Sequence, residues 1–155
     1  MQPRLDYFKA SPDIMRAVYA LNVAVEHSGL DRGLLHLVKL RASQINGCSY
    51  CVEMHSREAR QDGESESRVH LVAAWRESPL FTERERAAFA WTEKLTRLAD
   101  GPVEDADYEA VRAHFSEDEL VKLTVAISMI NTWNRLAVPF RSIHPVAEEA
   151  RAAAR

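Results

Sequence analysis

The sequence predicts an all-α fold, on three observations. Apolar residues recur at steps of three and four along several segments, hydroxyl residues precede glutamates at capping-box spacing, and no useful stretch alternates with the period of a strand. With 155 residues, 46% of them apolar and 28% charged, the chain has material for one sizeable core and too little for two separate ones. A single domain over residues 1–155 is the expectation.

The elements follow in order. Ser11 before Pro12 marks a helix start, and Ile14, Val18, Leu21 and Val25 form its apolar series until Gly29. Asp31 caps a second helix carrying Leu34, Leu35, Leu37, Val38 and Leu40, which Asn46 and Gly47 punctuate. A third helix begins at about Cys48. After the polar stretch Gln61 to Ser67, read as a connection between helical hairpins, a fourth segment carries Val69, Leu71, Val72 and Trp75 and stops at Pro79. Thr82 with Glu85 and Ser116 with Glu119 open two further helices, one to about Ala99 and one to about Leu136. Between them Asp100, Gly101 and Pro102 make a turn before a short helix over Asp105 to His114. Glu148 to Arg155 has little to bury and reads as a frayed tail.

The formal net charge is −3, from 23 acidic against 20 basic residues, with no long basic run, so nothing argues for nucleic acid or an anionic membrane. The N-terminal MQPRLDYFKASPD lacks a secretory pattern, and Lys122, Asn131, Asn134 and Arg135 interrupt the longest apolar segment. Cytoplasmic residence is the expectation, and a dithiol in that compartment points to catalysis, sensing or metal binding before a permanent staple. A disulfide across so short a loop contributes only about 2 kcal/mol by chain entropy.

Both cysteines of the chain, Cys48 and Cys51, form a C-x-x-C unit at an expected helix start, with His55 one turn beyond Cys51. Free backbone N–H groups and the helix dipole there favour a thiolate, the species that attacks an oxygen or sulfur electrophile. The second thiol then closes a disulfide before a sulfenic acid accumulates. The dipole favours Cys48 as the first attacker and the imidazole favours Cys51. Proton transfer to His55 tips the reading to Cys51, with Cys48, about 10 Å from His55 along the axis, as the resolving thiol. A zinc site drawn from His36, Cys48, Cys51 and His55 is the competing reading.

The remaining polar residues receive plainer readings. Tyr50 is first a packing wall and second a donor, and Ser43 and Asn46 organise the turn by backbone hydrogen bonding. Glu53, Arg57, Glu58 and Arg60 read as a solvated helix face before a carboxylate pair, Arg41 as a surface arginine before a partner for an acidic group near the site, and His70 as structural or exposed before a pocket wall or relay. Asn131, Thr132, Trp133, Asn134 and Arg135 read as interface or internal packing before substrate pocket. Trp75, Phe89, Trp91 and Phe140 read as packing residues.

The run LVKLRASQINGCSYCVEMHSREAR, with Asn46, Gly47, Cys48, Cys51 and His55 in register, strongly resembles the alkylhydroperoxidase AhpD-like core of the carboxymuconolactone decarboxylase superfamily. WRESPLFTERERAAFAWTEKLT and LVKLTVAISMINTWNRLAV extend the resemblance over residues 17–140. It implies an AhpD-like helical fold, a homo-oligomer built as a trimer or hexamer, and a peroxidase cycle in which Cys51 attacks a hydroperoxide, Cys48 resolves it and His55 moves protons. No flavin, haem or metal cofactor is implied. An external dithiol, in some members a lipoyl-bearing protein, would reduce the disulfide. The family glutamate twelve residues before the first cysteine is His36 here, which exchanges protons near neutrality but lacks a carboxylate's charge. Decarboxylase-like chemistry, redox sensing, disulfide exchange and zinc binding are the alternatives.

Overall fold

The computed structural model describes residues 2–146, so the expected tail at Glu148 to Arg155 lies outside the described residues. Among those described, all regular structure is helical: α1 (Tyr7–Ala10), α2 (Pro12–Glu26), α3 (Arg32–Ile45), α4 (Ser49–Gln61), α5 (Glu66–Leu71), α6 (Glu83–Thr96), α7 (Asp105–Arg112) and α8 (Glu117–Phe140). No helix among them is long and apolar enough to cross a membrane.

The capping signals act as the sequence indicates. Asp31 Oδ1 accepts the Leu34 N–H at 2.8 Å, and Thr82/Glu85 and Ser116/Glu119 form reciprocal capping boxes at the starts of α6 and α8. Ser11 differs: Pro12 occupies the first turn of α2, yet the Ser11 side chain makes no capping bond. Helix α8 runs four residues past its expected end, through Pro139, and stops at Arg141 in the left-handed region (φ 57°). Periodicity does not foresee α1, which at four residues is too short to show any, although Asp6 caps it through the Phe8 and Lys9 amides.

Helix α3 is central and packs against α4, α6 and α8. Its apolar positions feed two clusters: Leu34, Leu35 and Val38 meet α6, α7 and α8, while Leu37 and Leu40 meet Val72, Trp75, Phe81 and Phe89. Leu37 and Val38 are completely buried, the setting in which loss of a large aliphatic side chain costs about 2–5 kcal/mol. Trp75, Phe89 and Trp91 pack as expected. Helix α2 departs from its expected stripe. Met15 and Val25 are buried, whereas Ile14 is 65% and Leu21 is 42% exposed. A run apolar on nearly every face leaves period alone unable to say which side meets the core.

Candidate active site

The site is built at the junction of α3 and α4. The chain reverses at Gly47, whose φ of +64° lies in the region that a side chain disfavours. Cys48 follows as the N-cap of α4, and its sulfur accepts the Cys51 N–H at 3.3 Å. The first helical residue is therefore Ser49, and Cys48 stands just outside the helix. Cys48 and Cys51 are joined as a disulfide, with Cα atoms 5.4 Å apart.

The reversal is tied to α8. Asn46 Nδ2 donates to Asn131 Oδ1 at 3.0 Å and to Asn134 Oδ1 at 2.8 Å, and Asn134 Nδ2 donates to Ser43 Oγ at 3.1 Å. Asn131 also donates to Thr96 Oγ1 and to the Ile127 carbonyl. The α8 asparagines are internal packing, as read, but Asn46 works through its side chain on a distant helix and not through local backbone bonds. Both cysteines pack with Ala42, Ile130 and Ala137.

A cavity of about 270 Å³ opens beside the pair. Cys51 lines it and Cys48 does not, although both are almost fully buried. Tyr7 and Phe8 from α1, Tyr50 and Met54 from α4, and Met129 and Trp133 from α8 make its wall largely aromatic and apolar. Tyr50 is thus a wall, and burial raises its hydroxyl pKa above the ordinary value, which keeps it a neutral donor.

His55 lines the same cavity, 5% exposed. Its Nδ1 lies 3.1 Å from Glu58 Oε2. A carboxylate only accepts, so Nδ1 carries the proton and Nε2 keeps its lone pair, for which the described residues offer no hydrogen-bond partner. Burial pushes the His55 pKa below its ordinary value against the opposing pull of Glu58, and Lys39 and His36 push the same way as burial. The hydrogen bond from His55 in turn holds the Glu58 carboxyl below the usual range. The imidazole is neutral at pH 7 with its basic nitrogen free.

His36, 4% exposed, stands on α3 opposite this pair, with Nδ1 3.9 Å from Glu58 Oε2 and Nε2 2.8 Å from Asp62 Oδ2. Cys51 and His55 thus share one cavity, Cys48 joins them through the disulfide, and His36 approaches His55 around Glu58 without lining that cavity. Two sequence readings need correction. Glu58 is not simply a member of a solvated face: its side chain is 36% exposed and accepts a hydrogen bond from His55 at 3.1 Å. The signal for it was available, because Glu58 follows His55 at a three-residue step on the same helical face. Arg41 is not a surface arginine either, since Glu93 pairs with it at 2.6 Å and its side chain is 14% exposed. The zinc reading is altered as well. His36 and His55 do converge, but the third donor group beside them is the Glu58 carboxylate, and both sulfurs are engaged with each other. Lys39, buried beneath the site and paired with Glu26, had no signal beyond a charge inside an apolar helix.

An all-helical dithiol protein with a histidine and a carboxylate beside the pair is the class that this geometry defines. The model of the carboxymuconolactone decarboxylase family matches residues 12–94, and the chain belongs to that family, with the AhpD-like core of its superfamily. A Bacillus subtilis protein, the uncharacterized YdfG, is 34% identical over 138 residues, covering 89% of this chain and 94% of its own. A crystal structure from Agrobacterium tumefaciens, of a protein of unknown function described provisionally as an antioxidant defence protein AhpD, superposes with a TM-score of 0.90. It is 53% identical and covers 93% of this chain and 99% of its own. The alkyl hydroperoxide reductase AhpD of Rhodococcus erythropolis matches a shorter stretch, 35% identical over 57 residues, or 37% of this chain and 31% of that one.

Proposed function

We propose that this protein is a thiol-dependent peroxidase that reduces hydroperoxides through a Cys48/Cys51 disulfide cycle. The observation that carries the reading is the shared cavity: Cys51 and His55 both line it, and His55 presents a neutral ring with Nε2 unoccupied.

In the reduced protein His55 Nε2 accepts the Cys51 proton, and the thiolate attacks the terminal peroxide oxygen. An S–O bond forms as the O–O bond breaks, two electrons pass to the peroxide, and the departing alkoxide takes the proton back from His55 and leaves as an alcohol. Cys48 then attacks the Cys51 sulfur. The S–S bond forms, the S–O bond breaks, and the hydroxide leaves as water with the Cys48 proton. An external dithiol, with a lipoyl-bearing protein as the expected source, returns two electrons and restores both thiols. The apolar wall favours an organic hydroperoxide over hydrogen peroxide. Self-association belongs to the same reading, supported by the apolar face that α2 leaves uncovered.

The test follows free thiols by mass spectrometry after one equivalent of cumene hydroperoxide. The wild type loses both thiols to a disulfide, Cys48→Ser stops at a Cys51 sulfenic acid trapped by dimedone, and Cys51→Ser reacts slowly and without selectivity. Equal oxidation of wild type and Cys51→Ser would overturn the assignment. Sustained turnover with dihydrolipoamide separates a catalyst from a one-time sensor, and turnover of a lactone substrate by Cys48→Ser/Cys51→Ser would favour the decarboxylase-like alternative.

A further inference from the structure

The proposed cycle uses His55 and Glu58 but gives no task to His36. A second, polar cavity of about 530 Å³ meets the first at Glu58, and His36, Asp62, Arg32 and Glu26 also line it. His36 Nε2 lies 2.8 Å from Asp62 Oδ2, and Arg32 Nε lies 3.1 Å from the same oxygen. Asp62 Oδ2 accepts from both, which places a His36 proton on Nε2. The other nitrogen, Nδ1, is buried with no hydrogen-bond partner among the described residues, 3.9 Å from Glu58 Oε2. A buried polar atom left unpaired is destabilising, and a bound cation would satisfy it.

Around Glu58 Oε2 two imidazoles converge, and the donor atoms of His36, His55 and Glu58 all lie within 4.8 Å of one another. Two imidazole nitrogens and one carboxylate oxygen are a donor set for a borderline-soft divalent cation. A histidine whose far N–H is held by a carboxylate is the usual outer support of such a ligand, fixing ring orientation and raising basicity, and Asp62 provides it here. Tetrahedral zinc, with ligand bonds of about 2.0–2.2 Å, separates its donors by about 3.4 Å. The observed 3.1 Å from His55 Nδ1 to Glu58 and 3.9 Å from His36 Nδ1 to Glu58 bracket that spacing. Glu58 is also the most exposed of the three, and so the freest to adjust. Nearby, Lys39 is paired with Glu26, which offsets its charge.

We propose that His36, Glu58 and His55 form a site for a zinc-class divalent cation, its fourth position open to water in the polar cavity. His36 binds through Nδ1 and keeps its proton on Nε2. His55 binds through Nδ1, and its proton moves to Nε2, so no proton is lost overall. That shift has a consequence, which rests on the peroxidase reading: Nε2 becomes a donor, and the base that serves Cys51 is gone while the cation is bound.

Binding is tested by titrating the full chain, with its disulfide intact and stripped of metal, with zinc chloride in a calorimeter at pH 7.5. One zinc per chain with a micromolar or lower Kd is expected, unchanged in Cys48→Ser/Cys51→Ser. The affinity falls at least 10-fold in His36→Ala and in Glu58→Gln. Asp62→Asn, at an exposed position that leaves the core untouched, weakens binding about 10-fold or more, which keeps the test decisive if His36→Ala fails to fold. Absence of one-to-one binding, unchanged affinity in both His36→Ala and Asp62→Asn, or loss of binding in Cys48→Ser/Cys51→Ser would each overturn the site. The peroxidase reading is tested in chelator-treated protein, so either idea can fail while the other stands.

Discussion

The two ring nitrogens of His55 carry opposite duties: one is spent on Glu58, and the other stays basic because no hydrogen-bond partner reaches it among the described residues. The same burial has a thermodynamic signature. Desolvation, with Lys39 and His36 adding to it and Glu58 opposing, lowers the folded-state pKa below the unfolded value of about 6.5. The unfolded chain therefore binds a proton that the folded chain refuses, and this contribution to stability is full above pH 6.5 and is lost as pH falls through the lowered folded value. Glu58, whose pKa is also lowered, contributes separately, and its share is lost only below about pH 4.5. Urea melts in chelator-containing buffer should show wild-type stability declining between pH 7.5 and 5.5, with a flatter profile in His55→Gln. Parallel profiles would mean that His55 is not buried as a neutral ring.

At the scale of elements, the turn between α3 and α4 is held from a distance. Asn46 gives both protons of its amide to Asn131 and Asn134 of α8; Asn131 Oδ1 also accepts from Arg135 Nη1 at 2.8 Å, so Asn134 Oδ1 is the acceptor that depends more heavily on Asn46. Asn46→Ala leaves these oxygens less well satisfied, at a cost of about 1–3 kcal/mol. The expected outcome is a lower denaturation midpoint with unchanged helical content, together with slower disulfide closure because Cys48 is less firmly placed. A midpoint equal to wild type would show that the asparagines merely coexist with the turn. Local grammar made the helices legible: Asp31, Thr82 and Ser116 cap where their spacing says, and Cys48, Cys51 and His55 fall at one helix start. The asparagine clamp was not legible, because Asn46 and Asn134 stand 88 residues apart and nothing local couples them. Glu58 was half legible, since its spacing from His55 was visible but the burial that encloses the pair comes from α3 packing on α4. The stripe on α2 misled for the opposite reason, having apolar residues on too many faces.

At the scale of the whole molecule, two features of the N-terminal region matter. Ile14, Tyr19 and Leu21 are exposed on α2, and burying them against a second copy is the expectation that follows from the proposed self-association. Ile14→Lys/Leu21→Lys should shift the mass measured by light scattering toward the monomer, while an unchanged mass would place the interface elsewhere. The second feature is how the chain start closes the cavity. The Arg4 amide donates to the Phe140 carbonyl at 3.0 Å and its guanidinium to that of Pro139 at 3.1 Å, tying the segment to the end of α8. Phe8 then stacks on Trp133 with ring centroids 6.1 Å apart, and both rings line the cavity that holds Cys51. Truncating Phe8 removes apolar wall from the substrate side while leaving Cys51, His55 and Glu58 in place. If the wall selects the substrate, Phe8→Ala lowers kcat/KM for cumene hydroperoxide about 10-fold, within the range of about 1–3 kcal/mol that one apolar contact supplies, and leaves the rate with hydrogen peroxide nearly constant. A uniform fall with both oxidants would mean that Phe8 supports the thiol machinery, and no change with either would place the organic substituent against another wall.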